Sequence, residues 1–309
     1  GRMPAEPSHL NPYTSSDAYA SRINQLIFDG LLYRNPETLE FEPHVAKAWE
    51  VSDDHLTYTF MLRDDVRFSD GQPLTGEDVK FSFDTIKNPA VDAPHLRNYF
   101  QSVVSCEVLD PHTVRFICDE PYYLHLAVLG SFEILPRHIY GTGDFNQHPN
   151  NRNPVGSGPY VLGEWATGRQ VVLDRNTNYW NPDRMGHFDK RISKIITNDN
   201  AALMELTRGD MDFMGLTAEQ WVGRANTDRF TERFDRYEYY TPFYSYIGWN
   251  GRRGMFEDPR VRRALTMLLD RDTILQTLYH GLGVVVSGNF FFDSPAYDHE
   301  IAPWPYDPQ

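Results

Sequence analysis

The sequence predicts a mixed α/β protein built from more than one domain. Helical spacing and strand-type alternation take turns along the chain. Turn-forming residues concentrate in one stretch near its middle, between Gly141 and Pro159. With 309 residues and a hydrophobic fraction of 40%, the chain can bury a substantial core, and its length points to about two domains.

Tyr19, Ile23, Leu26 and Ile27 recur at helical spacing, so a helix is expected from Asp17 to Phe28, with Gly30 as a left-handed stop. The alternating run Leu56–Leu62 predicts a strand, and Asp70-Gly71 marks a turn. Thr75, followed by Glu77 and Asp78, is a helix start. Val79, Phe83 and Ile86 form that helix's inner face, and Asn88-Pro89 closes it. Two β-type runs then flank Asp110-Pro111-His112. Pairing of residue 110 with residue 114 would set Cys106 opposite Cys118 on one face. A cross-strand disulfide and two buried free thiols both fit. Residues from about 40 to about 140 therefore read as a self-contained α+β unit.

Beyond the turn-rich stretch, strands are expected at Tyr160–Trp165 and Arg169–Asp174. One helix should follow Asp199 and stop at Gly209, and another opens at Thr217-Ala-Glu-Gln220. Tyr244–Trp249 predicts a further strand. Asp258-Pro259 starts a helix whose buried stripe should be Val261, Ala264, Leu265 and Leu268. A last helix begins at Asp270 or Asp272, runs through Ile274, Leu275 and Leu278, and ends at Gly281.

Composition excludes several function classes. A net charge of −14 with no basic run argues against nucleic acid, whose phosphates call for clustered Lys and Arg. The same charge favours cationic or zwitterionic ligands over anions. No apolar stretch approaches the roughly 20 residues that cross a bilayer. The 11 histidines show no His-x-x-x-His spacing, and the two cysteines are not a Cys-x-x-Cys pair, so no metal or cofactor site is expected. Gly141-x-Gly143 lacks the helix a dinucleotide fingerprint needs, and Gly156-Ser157-Gly158-Pro159 places Pro where a nucleophile elbow would continue. The acid pairs Asp53-Asp54, Asp64-Asp65 and Asp210-x-Asp212 read as solvated turns and strands. No catalytic group stands out.

Four stretches in order carry a family resemblance. The first is Leu10-Asn-Pro-Tyr-Thr-Ser-Ser-Asp17 with Ile27-Phe-Asp-Gly-Leu31. The second runs from Ala48-Trp-Glu-Val-Ser52 through Leu56-Thr-Tyr-Thr-Phe60 to Asp70–Phe83. The third is Pro154-Val-Gly-Ser-Gly-Pro-Tyr160 with Asp174-Arg-Asn-Thr-Asn-Tyr-Trp180. The fourth is Asn250, Phe256-Glu-Asp-Pro-Arg-Val-Arg-Arg-Ala-Leu265 and Asp270-Arg271. Together they resemble the bacterial extracellular solute-binding proteins of family 5, which serve oligopeptide, dipeptide and nickel ABC importers.

The resemblance implies a type II periplasmic-binding-protein-like bilobal α/β fold with an inserted α+β domain. Lobe one would comprise residues 1–40 and 156–250, the inserted domain residues 41–155, and the start of lobe two residues 251–309. Most of lobe two would lie beyond Tyr306, along with the acid that pairs with a peptide's amino terminus in such members. The family's opening strand would precede Pro4. The implied function is capture of di- or oligopeptides in the periplasm or extracellular space, by a monomer that delivers them to a membrane-embedded ABC permease. The full precursor would be lipid-anchored. A nickel, haem or other small-solute receptor is the nearest alternative, and a hydrolytic enzyme a more distant one. Ligand contacts are expected from Tyr13, Thr14, Ser15 and Ser16, and from Tyr244, Tyr246, Trp249 and Asn250.

Overall fold

In the computed structural model, which describes residues 1–308, Asp17 opens the first helix, Ala18–Ile27. Its carboxylate accepts from the backbone N–H of Tyr19 at 2.7 Å and of Ala20 at 2.9 Å, filling two vacancies left by the first turn. Ala20, Ile23 and Ile27 face the core. The helix ends on Phe28, which is extended rather than left-handed. Gly30 has no positive φ, so it is not the stop that its place after the helix suggested. A Cβ there would lie 2.8 Å from the Gly130 carbonyl oxygen, and close backbone approach is the reason for glycine.

The strands run in chain order as β1 (Arg2–Met3), β2 (Leu32–Arg34), β3 (Phe41–Pro43), β4 (Ala46–Val51), β5 (Thr57–Leu62), β6 (Val103–Asp110), β7 (Thr113–Cys118), β8 (Tyr160–Ala166), β9 (Gln170–Arg175) and β10 (Lys190–Ile195). One sheet has the order β1-β10-β9-β8, with β1 parallel to β10 and the other pairs antiparallel. β2 and β3 form a separate hairpin. The third sheet, β4-β5-β7-β6, is antiparallel throughout.

The helix Gly76–Lys87 covers that third sheet, burying Val79, Phe83 and Ile86 as the spacing requires. Phe83 meets Phe116 of β7 edge-on at 5.6 Å. The Asp78 carboxylate holds the helix start: it accepts from Thr75 N–H at 2.9 Å, Thr75 Oγ1 at 3.1 Å and Arg137 N–H at 2.9 Å.

Residues 1–202 with 211–213 make one compact unit, and the apolar core runs without a break from Met3 and Tyr13 through Phe60, Phe83 and Phe116 to Leu173. The segment 41–155 owns the sheet β4-β5-β7-β6, and its core is continuous with that of the rest of the unit. The second unit takes residues 203–210 and the chain from Met214 onward.

Helix starts in the second unit follow the sequence closely. Asp258 caps Pro259–Met267 and Asp270 caps Arg271–Leu278. Burial does not follow. None of residues 231–308 is buried, and Val261 and Leu268 of the expected stripe are 38% and 51% exposed. Tyr244–Trp249 is not a strand, and no described residue after Ile195 belongs to one. An alternating segment becomes a strand only where another edge pairs with it.

Cys106 and Cys118 are both buried and both free. They are not opposite one another: Cys106 faces Phe116, and Cys118 faces Val103. The turn pairs Asp110 with Thr113 rather than with Val114, and an irregularity between Val108 and Asp110 shifts the register once more. Two single-residue slips preserve the face while separating the thiols along it. Burial pushes Cys106 up to about 12 and Cys118 up to about 11, so neither is a thiolate at neutral pH. Thiol titration without reductant should therefore count two thiols after unfolding. Iodoacetamide at pH 7 should modify neither at an appreciable rate in the folded protein, and one fast-reacting cysteine would contradict the buried placement.

Candidate functional site

The loop Asn11–Ser16 is fixed from below. Asn11 is fully buried; its amide donates to Asn151 Oδ1 at 2.9 Å, and its Oδ1 accepts from the N–H of Tyr13 at 2.9 Å and of Thr14 at 3.3 Å. Tyr13 is also fully buried, its ring stacked on Phe145 at 6.1 Å and its hydroxyl donating to the Glu133 carbonyl oxygen. Burial holds its phenol well above the usual tyrosine range. Ser15 is buried too, with Oγ accepting from Asp17 N–H at 3.3 Å.

Thr14 is half-buried and Ser16 exposed. Thr14 Oγ1 has no hydrogen-bond partner. Of the four expected contact residues in this loop, Tyr13 and Ser15 therefore support it, Thr14 buries its hydroxyl oxygen, and Ser16 remains at the surface. The expectation that the Tyr13 ring packs on a ligand meets a ring already spent on the core.

Beside this loop runs Phe132–Leu135. Phe132 and Ile134 are buried, and Glu133 between them is half-buried. The segment is anchored by Ile134 N–H to the Asp29 carbonyl oxygen at 2.9 Å and Leu135 N–H to Ser82 Oγ at 2.8 Å. No ionic partner reaches the Glu133 carboxylate among the described residues. Burial pushes its carboxyl up to about 7. Sequence reasoning passed over Glu133, because one acid between two apolar residues carries no pattern.

Asp29, in the Ile27–Leu31 stretch, has the opposite surroundings. It is buried and accepts from His44 Nε2 at 3.0 Å, Trp180 Nε1 at 3.0 Å and the Tyr179 hydroxyl at 3.3 Å. Burial, and then the adjacent carboxylate, raise the Tyr179 phenol far above its usual range. The glycines of Pro154–Tyr160 are structural as well. A Cβ on Gly156 would lie 2.1 Å from the Ile27 carbonyl oxygen, and Gly158 N–H donates to that oxygen at 2.8 Å. Ser157 between them is fully buried, so this stretch is a packing joint.

In the second unit, Tyr244 and Tyr246 are 47% and 76% exposed, their rings 5.6 Å apart. Trp249 is half-buried; it packs on Phe256 at 5.6 Å and donates to Thr266 Oγ1 at 3.3 Å. Asn250 is exposed, its Oδ1 accepting from Arg252 N–H at 3.0 Å. Tyr237, Tyr239 and Phe243 add further exposed rings nearby in sequence. Among the described residues no group of three or more His, Cys, Asp or Glu side chains is placed to hold a metal, and no helix is long and apolar enough to cross a membrane.

The fold is that of the type II periplasmic binding proteins. Residues 40–309 match the model of the bacterial extracellular solute-binding proteins, family 5 (middle), and the chain belongs to that family. The oligopeptide-binding protein AppA of Bacillus subtilis is 29% identical over 290 residues, covering 91% of this chain and 51% of AppA. A solved structure of AppA with a nonapeptide covers 99% of this chain and 60% of its own, with a TM-score of 0.83 and 26% identity. The glutathione-binding protein GsiB of Salmonella typhi is 27% identical, covering 97% of this chain and 57% of GsiB. NikZ of Campylobacter jejuni, solved with Ni(L-His), has a TM-score of 0.87 at 28% identity, covering 99% of this chain and 60% of NikZ. The chain thus spans about half to three fifths of the length of these relatives.

Two measurements check the contrast between the carboxylates. Asp29→Ala strands three buried donors and should cost about 3 kcal/mol of unfolding free energy in urea titrations. Glu133 prefers to be neutral in the fold, so its contribution is most favourable below the ordinary carboxylate range and fades as pH rises through about 7. Glu133→Gln should accordingly raise the thermal midpoint at pH 8 and leave it nearly unchanged at pH 4.

Proposed function

We propose that this chain captures di- or oligopeptides outside the cytoplasmic membrane and hands them to a membrane-embedded ABC permease. The observation that carries the reading is the family match over residues 40–309. AppA, an oligopeptide-binding protein, and GsiB, a glutathione-binding protein, support peptides as the ligand class. The site chemistry agrees with capture. Ser16 supplies an exposed hydroxyl and Thr14 a buried, unpartnered one, on a loop held rigid by Asn11 and Tyr13, which lowers the entropy lost on binding. Tyr244 and Tyr246 offer flat apolar faces with a polar edge, suited to varied peptide side chains. The protein works as a monomer, binds no nucleic acid, needs no cofactor and leaves its ligand chemically unchanged.

NikZ, with its Ni(L-His) complex, favours a second reading in which a metal–amino-acid complex takes the same place. Calorimetry of the full-length protein against tri- to pentapeptides and against Ni(L-His) separates the two, and heat from Ni(L-His) alone would reverse the order. With peptide, Thr14→Ala and Tyr246→Ala should each weaken binding by about 1 kcal/mol, roughly fivefold, with unfolding midpoints unchanged. Chromogenic peptides and glycosides should show no turnover, and hydrolysis abolished by one carboxylate substitution would overturn the capture reading.

A further inference from the structure

Two acids of the first unit, Asp29 and Asp78, are buried and fully engaged, whereas Glu133 is half-buried between two core residues. Asp29 accepts from His44, Trp180 and Tyr179, and Asp78 from Thr75, twice, and Arg137. Glu133 accepts only from its own backbone N–H among the described residues. Arg137, four residues on, is turned to Glu77 at 3.2 Å. A carboxylate drawn away from water without a counter-ion opposes folding. Such groups concentrate where a ligand supplies the missing charge.

The location of Glu133 says where that ligand would lie. The Tyr13 hydroxyl donates to the carbonyl of Glu133 itself, so this residue borders the Asn11–Ser16 loop. Its flanking residues Phe132 and Ile134 turn into the core, and the Glu133 oxygens are not among the buried atoms lacking partners. The residue is half-buried and fixed in backbone, its carboxyl takes up its charge as pH rises through about 7, and the chain's net charge of −14 already attracts cations.

We propose that Glu133 is the counter-ion for a cationic group of the ligand, an ammonium or a guanidinium, held at the side of the Asn11–Ser16 loop where Tyr13 meets Glu133. The inference rests on the capture reading above and sharpens its ligand class. In a peptide the expected cation is a Lys or Arg side chain, because the resemblance places the partner of the amino terminus in lobe two; the free amino terminus is the other source, and both present N–H donors to a carboxylate in a charge-assisted bond.

Isothermal titration of the full-length protein with four tripeptides distinguishes these sources: Ala-Ala-Ala, Ala-Lys-Ala and the N-acetyl form of each. A peptide carrying the recognised cation should bind about 10-fold tighter than N-acetyl-Ala-Ala-Ala. Glu133→Gln should erase that preference while leaving the affinity for N-acetyl-Ala-Ala-Ala unchanged, and Glu133→Asp should keep part of it. A preference lost on acetylation assigns the amino terminus, and one that follows lysine assigns the side chain. Preferences that survive Glu133→Gln, or a wild-type protein that binds all four peptides equally, overturn the inference and leave peptide capture standing. If none of the four binds, peptide capture fails and the inference fails with it. Circular dichroism of both variants confirms that the comparison is made between folded proteins.

Discussion

Asp29 ties together parts of the first unit that lie far apart in sequence. Its carboxylate accepts from His44 and from Tyr179 and Trp180, about 150 residues further on, while its own carbonyl accepts from Ile134. Around it, Gly156 and Gly158 press against the last turn of the helix Ala18–Ile27, and Gly30 lies against the Gly130 carbonyl. A buried charge of this kind is tolerable only when its lone pairs are filled, and here three side-chain donors fill them. The arrangement specifies register more than it adds net stability, since an apolar replacement of equal shape would avoid the cost of desolvation. Its value is that four chain segments have one mutual placement. The loop Asn11–Ser16 and the Phe132–Leu135 segment rest on that placement.

The second unit shows what local signals achieve where little is buried. Asp258, Asp270 and Thr217 sit at helix starts and make the caps that their residue types favour. Capping is settled within four residues, so sequence reveals it whatever surrounds the helix. Burial of Val261 or Leu268 requires an opposing apolar surface, and in this chain neither meets one. The same holds for Tyr244–Trp249. Its alternation suits a strand, yet it forms none, because strand identity depends on a partner edge.

This separates what was legible in the sequence from what was not. Helix starts at Asp17, Thr75, Thr217 and Asp258 were legible because each rests on a cap a few residues away. The helix face of Val79, Phe83 and Ile86 was legible from spacing alone. The pairing of Cys106 was not, since two one-residue slips near Asp110 leave no mark on alternation. Family wording pointed to Tyr13–Ser16 as a contact loop but could not say which side chains turn inward, because Tyr13 is held by Phe145 and Glu133, both more than a hundred residues away. Glu133 was invisible for the same reason. Its environment is made by the fold, and nothing in its immediate neighbours announces it.

The two carboxylates Asp29 and Glu133 belong to one backbone network, joined through the hydrogen bond from Ile134 to Asp29, yet the fold treats them in opposite ways. Asp29 is given every donor within reach, and its charge is converted into rigidity. Glu133 is given none beyond its own N–H, although Phe132 and Ile134 fix its backbone as firmly as any core residue. A rigid backbone beneath an unsatisfied charge is the combination that binds a cation with little reorganisation: the protein has already met the ordering cost when it folded. Stability and recognition are thereby assigned to two acids of one backbone network. The satisfied acid holds the scaffold, and the unsatisfied one is left for the ligand.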